Sequence, residues 1–195
     1  MSINLYDAIN SSYGDKNSIR KIENKGYIKD NSLSNHNESV YYNPQSKKLL
    51  YNVAGSHNAH DWLVTDVGLA LGRLKGTSRY EEAERVLNKA KAKYNPKETT
   101  LTGHSLSGAI VNGIANKGTN DKVYSLNGAY TIGQQTRNPN GNFHNYRVEG
   151  DIVSALGSHS KNLKTISNND VIKRGVVGAF YAHQPRHIKK EKIFV

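Results

Sequence analysis

The fold is decided by residues 99–115, which read Thr-Thr-Leu-Thr-Gly-His-Ser-Leu-Ser-Gly-Ala-Ile-Val-Asn-Gly-Ile-Ala. A strand-like run leads into a glycine turn with Ser105 at its tip, and an apolar run of small residues typical of a buried helix follows. This order matches the G-x-S-x-G pattern of a nucleophile elbow, in which a serine hydroxyl stands above the edge of a sheet. Ser107 takes the last glycine position of the pattern. The alternative is an ordinary strand–turn–helix junction in which Ser105 caps the helix.

Strands and helices alternate along the rest of the chain, which predicts an α/β domain with a mostly parallel sheet. A turn at 43–46 separates strand-like runs at 39–42 and 48–54, so an antiparallel hairpin is expected at one edge. Ser78 and Glu81 predict a capping box for a helix that Asn95-Pro96 ends. Further strands are predicted at 122–126, 143–149 and 163–166. We expect residues 1–35 to be a polar N-terminal extension packed on a domain formed by residues 36–195.

Composition indicates a folded chain with a polar surface. Of its 195 residues, 36% are hydrophobic and 22% are charged, and cysteine is absent, which excludes disulfides and thiolate metal sites. The start of the chain lacks the pattern of a signal peptide, so we expect synthesis in the cytoplasm. The net charge of +11 favours anionic partners, and peripheral contact with an anionic membrane is expected. Nucleic-acid binding is the weaker interpretation, because no recognition motif accompanies the charge.

A serine nucleophile needs a base and an orienting acid, which follow it in the order Ser, Asp or Glu, His on this type of sheet. Asp151 follows the strand at 143–149 and is therefore expected at the same sheet edge as Ser105. His159, His183 and His187 come after it in the chain. His183 is favoured as the base because an apolar stretch precedes it, and His187 is the alternative.

The oxyanion of an acyl-transfer reaction needs backbone donors. The amide of Leu106, directly after the serine, is one candidate, and the turn Gly55-Ser56 after the second strand of the hairpin is the other. A plain turn is the alternative for Gly55-Ser56. His57, His60 and Asp61 lie close together in the sequence, but their spacing fits no standard metal motif. No metal and no cofactor are expected.

Five features in the same order resemble the class 3 lipase family of the α/β-hydrolase superfamily. They are listed here in chain order: Gly55-Ser56, Asp61-Trp62 with Asp66, Gly103 to Gly108, Asp151-Ile152-Val153 and Tyr181-Ala182-His183. The compact length resembles the short lipase-like proteins of large DNA viruses and virophages. Two positions depart from the family pattern. Ser107 replaces a glycine, and Ala54 stands where an arginine often precedes the turn.

The resemblance implies an α/β-hydrolase-like three-layer sandwich and hydrolysis of acyl esters of lipids. It assigns Ser105 as nucleophile, His183 as general base and Asp151 as the orienting acid, with Ser56 and Leu106 as oxyanion donors. A lipid or another acyl ester is then the substrate, and components of a viral particle are expected partners if the protein is packaged in a virion. The alternative function is a non-catalytic structural or interaction protein that retains the hydrolase fold.

Overall fold

The structure is a computed structural model, and it describes most of the sheet together with both ends of the chain. The described residues are 2–56, 74, 76–115, 120–129, 142–151, 154, 163–167, 185–188 and 191–195. Within them lie helices α1 (Leu5–Ser12), α2 (Lys16–Glu23), α3 (Ser78–Tyr94) and α4 (Leu106–Ile114), and a 3-10 helix at Pro185–Ile188. The strands are β1 (Ile28–Lys29), β2 (Glu38–Asn43), β3 (Lys48–Val53), β4 (Glu98–His104), β5 (Asp121–Leu126), β6 (Phe143–Val148) and β7 (Leu163–Ile166).

In the described part of the chain, these strands form one seven-stranded sheet in sequence order, from β1 to β7. Strands β1, β2 and β3 pair antiparallel, and β3 to β7 pair in parallel. The predicted mostly parallel sheet with an antiparallel hairpin at its edge is therefore confirmed. The register places Val53 at the end of β3 opposite Gly103 in β4. The turns that follow these two strands consequently meet at one edge of the sheet.

Helices α3 and α4 cover the same face of the sheet. Crossover connections between parallel strands are right-handed. When each strand lies on the same side of the strand before it, the crossover helices therefore lie on one face of the sheet. Tyr51 and Leu101 point into this layer, and the Tyr51 hydroxyl donates to the carbonyl of Ala83 in α3 at 2.9 Å. The alternation of side chains along β3 sends Leu50 to the opposite face.

The N-terminal helices and the C-terminal end cover that opposite face. Leu5 and Ile9 of α1 are fully buried against Leu126, Val148 and Ile188. The two ends of the chain are also joined through backbone hydrogen bonds, one of them from the Leu5 amide to the Ile193 carbonyl at 2.8 Å. Residues 3–27 thus contribute buried side chains to the sheet's second layer. The boundary drawn at residue 35 stays a prediction.

Two local predictions near helix ends need correction. Thr77, rather than the Ser78–Glu81 capping box, caps α3, because its side chain accepts from the Tyr80 amide. Helix α2 was not predicted within the N-terminal extension; the Asp15 side chain accepts from the Ser18 amide and starts a regular helix. Both caps depend on one side-chain oxygen, which the hydrophobic pattern does not reveal.

No helix among the described residues is long and apolar enough to cross a membrane.

Candidate active site

Ser105 lies at the turn between β4 and α4 with backbone angles φ 61° and ψ −127°. A positive φ is rare for a residue with a side chain and costs on the order of 1–3 kcal/mol, so the surrounding structure must enforce it. The residue occupies the N-cap position of α4, but its side chain makes no capping hydrogen bond. The backbone therefore has the strained strand–turn–helix geometry of a nucleophile elbow, and the capping alternative for Ser105 is wrong.

Glycine at 103 and 108 is required by close approach of the backbone around the elbow. A Cβ atom at Gly103 would lie 2.4 Å from the carbonyl oxygen of Ser107, and one at Gly108 would lie 2.8 Å from the Cα of Gly128. Real Cβ contacts are essentially never this short. These glycines let the chain turn back on itself at the end of β4 and let α4 pass close to the chain after β5.

Ser107 fits into the elbow and helps to hold it. Its side chain is fully buried, and its hydroxyl accepts from the His104 amide at 2.8 Å. The same hydroxyl lies 2.8 Å from the carbonyl oxygens of Val53 and His104, either of which accepts its proton. A glycine here would lack this link between the end of β3 and the elbow. Serine at this position is therefore compatible with the turn and connects it to the neighbouring strand.

The turn at Gly55-Ser56 passes directly against the elbow. A Cβ atom at Gly55 would lie 3.3 Å from the Cβ of Ser105 and 2.6 Å from the carbonyl oxygen of His104. Ser56 is half-buried, and Leu106 is the first residue of α4. The two segments that were predicted to supply oxyanion donors are thus adjacent to Ser105.

Arg79 anchors the residue before that turn. Its guanidinium donates to the Ala54 carbonyl at 2.7 Å, and the Ala54 amide donates to the Asn37 carbonyl at 2.8 Å. Burial lowers the pKa of Arg79, while the nearby carboxylate of Glu38 raises it. The sequence has Ala54 where the family pattern often has an arginine, but a guanidinium reaches the same backbone from the first turn of α3.

Asp151 is buried and lies just beyond the end of β6. Its amide donates to the Val148 carbonyl at 3.1 Å, and its carboxylate accepts from the Ser154 amide at 2.8 Å. Because β4, β5 and β6 run parallel, their ends share one edge of the sheet, so Asp151 is placed at the edge that carries Ser105. Its role as the orienting acid stays a prediction.

The predicted base lies outside the described residues. His183 and His159 are among the residues that are not described, and so are His57, His60, Asp61, Trp62 and Asp66. The backbone of His187 belongs to the 3-10 helix. The predicted pairing of Ser105 with His183, and of His183 with Asp151, therefore stays a prediction. No group of three or more metal-ligating side chains occurs among the residues that are described.

Two residues near the elbow were not predicted from the sequence. Asn127 has φ 50°, and its side chain accepts from the Val148 amide at 2.8 Å, which ties the ends of β5 and β6 together. Residues on either side of Asn127 bond to the elbow. The Ser105 amide donates to the Leu126 carbonyl, and the Ser105 carbonyl accepts from the Ala129 amide, both at 3.1 Å. Tyr13 contacts both the elbow and the Gly55 turn. Only the Asn127-Gly128 turn signal was visible in the sequence.

The strained serine between β4 and α4, at the carboxyl edge of a mixed sheet with helical layers, defines an α/β-hydrolase-like fold. Solved structures agree with this class. The native Rhizomucor miehei lipase–propeptide complex matches 85% of this chain and 68% of its own, with a TM-score of 0.51 and 14% identity.

Two further structures are similar at the same level. A deletion mutant of that complex has a TM-score of 0.50 at 14% identity and covers 85% of this chain and 66% of its own. A mutant of MDLA from Penicillium cyclopium has a TM-score of 0.49 at 15% identity, with 85% and 77% covered. No protein-family model and no curated protein matches the chain. The fold is similar to that of the Rhizomucor miehei lipase structures, and the resemblance to short viral proteins stays a prediction.

Proposed function

We propose that the protein is a carboxylic ester hydrolase of the lipase type, acting on acyl esters of lipids. The observation that carries this proposal is the backbone of Ser105, which is held at φ 61° between β4 and α4 with the Gly55 turn packed against it. Such strain persists only where the surroundings impose it, and it clusters at sites of chemistry. The fold similarity to Rhizomucor miehei lipase structures supports the same class of reaction.

In the proposed reaction, the Ser105 hydroxyl attacks the ester carbonyl while His183 takes its proton. The carbonyl oxygen becomes an oxyanion, which the amides of Ser56 and Leu106 stabilise. Collapse of this intermediate breaks the ester bond, and the leaving alcohol takes the proton back from His183. Water then hydrolyses the acyl-enzyme by the same steps, and Asp151 keeps the imidazole oriented and stabilises its charged form.

The net charge of +11 supports a location of the substrate at an anionic lipid surface. Vesicle co-sedimentation tests this part of the proposal. Binding to vesicles with an anionic phospholipid that weakens with added salt is expected, because exposed charges are screened. Equal binding to neutral and anionic vesicles would contradict it.

Hydrolysis of nitrophenyl esters and phospholipids of increasing acyl length tests the reaction. Wild-type protein should hydrolyse at least one of them, and Ser105→Ala should abolish turnover because no nucleophile remains. Ser46→Ala, at an exposed turn between β2 and β3, is the matched control and should match wild type. Inactive wild-type protein would contradict the proposal and favour the alternative, a non-catalytic protein that retains the fold.

The base is assigned by a second pair of variants. His183→Ala should lose turnover to nearly the same extent as Ser105→Ala, because the two residues act as a unit. His187→Ala should keep it. The reverse result would assign the base to His187 and leave the ester hydrolase proposal intact.

A further inference from the structure

The Tyr13 hydroxyl lies between the two backbone segments on which the proposed reaction depends. It accepts a hydrogen bond from the Gly55 amide at 2.9 Å and shares another with Nδ1 of His104 at 3.0 Å. Gly55 comes directly before Ser56, and His104 comes directly before Ser105. One hydroxyl therefore connects the turn that carries a predicted oxyanion donor with the turn that carries the predicted nucleophile.

The packing around the Tyr13 hydroxyl is so close that a displacement of the tyrosine would also displace the Gly55 turn and the elbow. A Cβ atom at Gly55 would lie 2.6 Å from the Tyr13 hydroxyl oxygen and equally close to the His104 carbonyl oxygen. The imidazole of His104 meets the tyrosine ring edge-on, with the ring centroids 6.1 Å apart. The turn, the hydroxyl and the elbow thus pack without space for another atom.

Tyr13 is itself held in place by the N-terminal helix. It is the C-cap of α1, and its amide donates to the Asn10 carbonyl at 3.1 Å. Leu5 and Ile9 bury the helix against the sheet. Burial raises the pKa of Tyr13 to about 12, so the hydroxyl keeps its proton at neutral and mildly alkaline pH. The hydroxyl is thus attached to a fixed element and stays neutral.

We infer that Tyr13 is a positioning residue, whose hydroxyl fixes the Gly55-Ser56 turn relative to the Ser105 elbow. The inference rests on the proposed ester hydrolysis. Oxyanion donors stabilise the transition state only when their distance to the developing oxyanion is fixed, and small displacements are costly. Tyr13 acts through the backbone of Gly55 and the side chain of His104, without contact to the reacting atoms. The N-terminal segment thereby takes part in the reaction as well as in the fold.

The test compares Tyr13→Phe with Tyr94→Phe as a matched control. The Tyr94 hydroxyl donates to the buried Asp30 carboxylate at 2.7 Å on another part of the molecule, so each variant removes one hydrogen-bonded tyrosine hydroxyl. Inactivation by a fluorophosphonate measures phosphonylation of the serine, in which the hydroxyl oxygen bonds to phosphorus and fluoride leaves. Tyr13→Phe should lower the maximal inactivation rate about tenfold to a hundredfold at an unchanged half-saturating probe concentration. Tyr94→Phe should keep the wild-type rate, and melting temperatures of both report the structural effect.

The outcomes separate this inference from the proposed function. If wild-type protein does not react with the probe, the ester hydrolase proposal fails and this inference fails with it. If wild type reacts and Tyr13→Phe reacts equally fast, this inference alone is wrong. If Tyr13→Phe does not fold, the inactivation rates of His104→Asn and His104→Leu test the inference instead. The asparagine keeps a polar atom near the Nδ1 position and should react faster than the leucine, and equal rates would overturn the inference.

Discussion

Replacing Ser107 by alanine tests how the elbow is held. Alanine fits wherever serine does, so the change removes the hydroxyl and leaves the shape of the turn. The hydroxyl accepts from the His104 amide and lies equally close to the Val53 carbonyl, with both distances at 2.8 Å and the side chain fully buried. Without this hydroxyl, the buried His104 amide loses its hydrogen-bond acceptor and a buried carbonyl loses its donor.

The magnitude follows from the cost of leaving a buried polar group without its partner, which is about 1–3 kcal/mol. For a chain of this size, each kcal/mol lowers the melting temperature by about 2–4 °C. A loss of about 2 kcal/mol therefore corresponds to a fall of about 4–8 °C. Ser107→Gly should be less stable than Ser107→Ala by a further ~1 kcal/mol, because glycine in a helix has the larger conformational freedom to lose.

Thermal unfolding and urea titration measure both variants. Ser12→Ala is the matched control, since Ser12 is also buried in a helix and its hydroxyl donates only to the Ile9 carbonyl, at 2.7 Å. The control should change stability far less than Ser107→Ala, because no backbone amide loses an acceptor. Equal changes in the two alanine variants would show that the Ser107 hydroxyl does not stabilise the elbow.

Three further changes test two contacts beside the elbow and one buried carboxylate elsewhere in the molecule. Arg79→Ala should cost about 1.5–3 kcal/mol in urea unfolding and slow fluorophosphonate labelling, because the Ala54 carbonyl loses its charged donor at 2.7 Å. Asp30→Asn should cost about 1–3 kcal/mol at neutral pH and progressively less as the pH falls below about 4. Gly55→Ala should cost about 1–3 kcal/mol and slow labelling, because the added methyl meets the His104 carbonyl oxygen at 2.6 Å.

The sign of the pH effect follows from the environment of Asp30. Burial raises its pKa, but hydrogen bonds from Lys93, Ser32 and Tyr94 outweigh burial and hold the pKa below its usual range. A lowered folded-state pKa means that the stabilisation is complete above the unfolded-state pKa. It is lost as the pH falls through the folded-state value. A stability difference between wild type and variant that grows towards acid pH would contradict this.

The predictions for Arg79→Ala and Gly55→Ala are checked against the following results. Arg85→Ala should match wild type, because its ion pair with Glu82 is on the surface. If Arg85→Ala loses as much stability as Arg79→Ala, the loss comes from removing a positive charge rather than from breaking the hydrogen bond to the Ala54 carbonyl. Gly55→Ala that labels at the wild-type rate would show that the turn can move without effect on Ser105.

The sequence predicted the mostly parallel sheet with its edge hairpin, and the elbow, because both leave strong local patterns. The glycines around Ser105 and the apolar run in β3 report directly on close packing and burial. Strand β7 was predicted with its observed bounds, and α3 ends at Tyr94, directly before Asn95-Pro96, as expected.

Contacts between distant parts of the chain left no such pattern. Tyr13 reaches Gly55 across 42 positions, and Arg79 reaches Ala54 across 25. Nothing in the neighbouring residues of either side chain distinguishes it from an ordinary surface tyrosine or arginine. Arg79 also shows that a guanidinium from another element can hold the backbone directly before the Gly55 turn.

Peptide mapping after reaction with a fluorophosphonate tests whether Ser105 is the nucleophile. We expect one covalent adduct per chain, located on Ser105 by tandem mass spectrometry, and none on protein unfolded in urea before the probe is added. The reason is that the proposed reaction needs the strained turn and its neighbours, which exist only in the folded chain. An unmodified wild-type protein, or an adduct on another residue, would rule out Ser105 as the nucleophile.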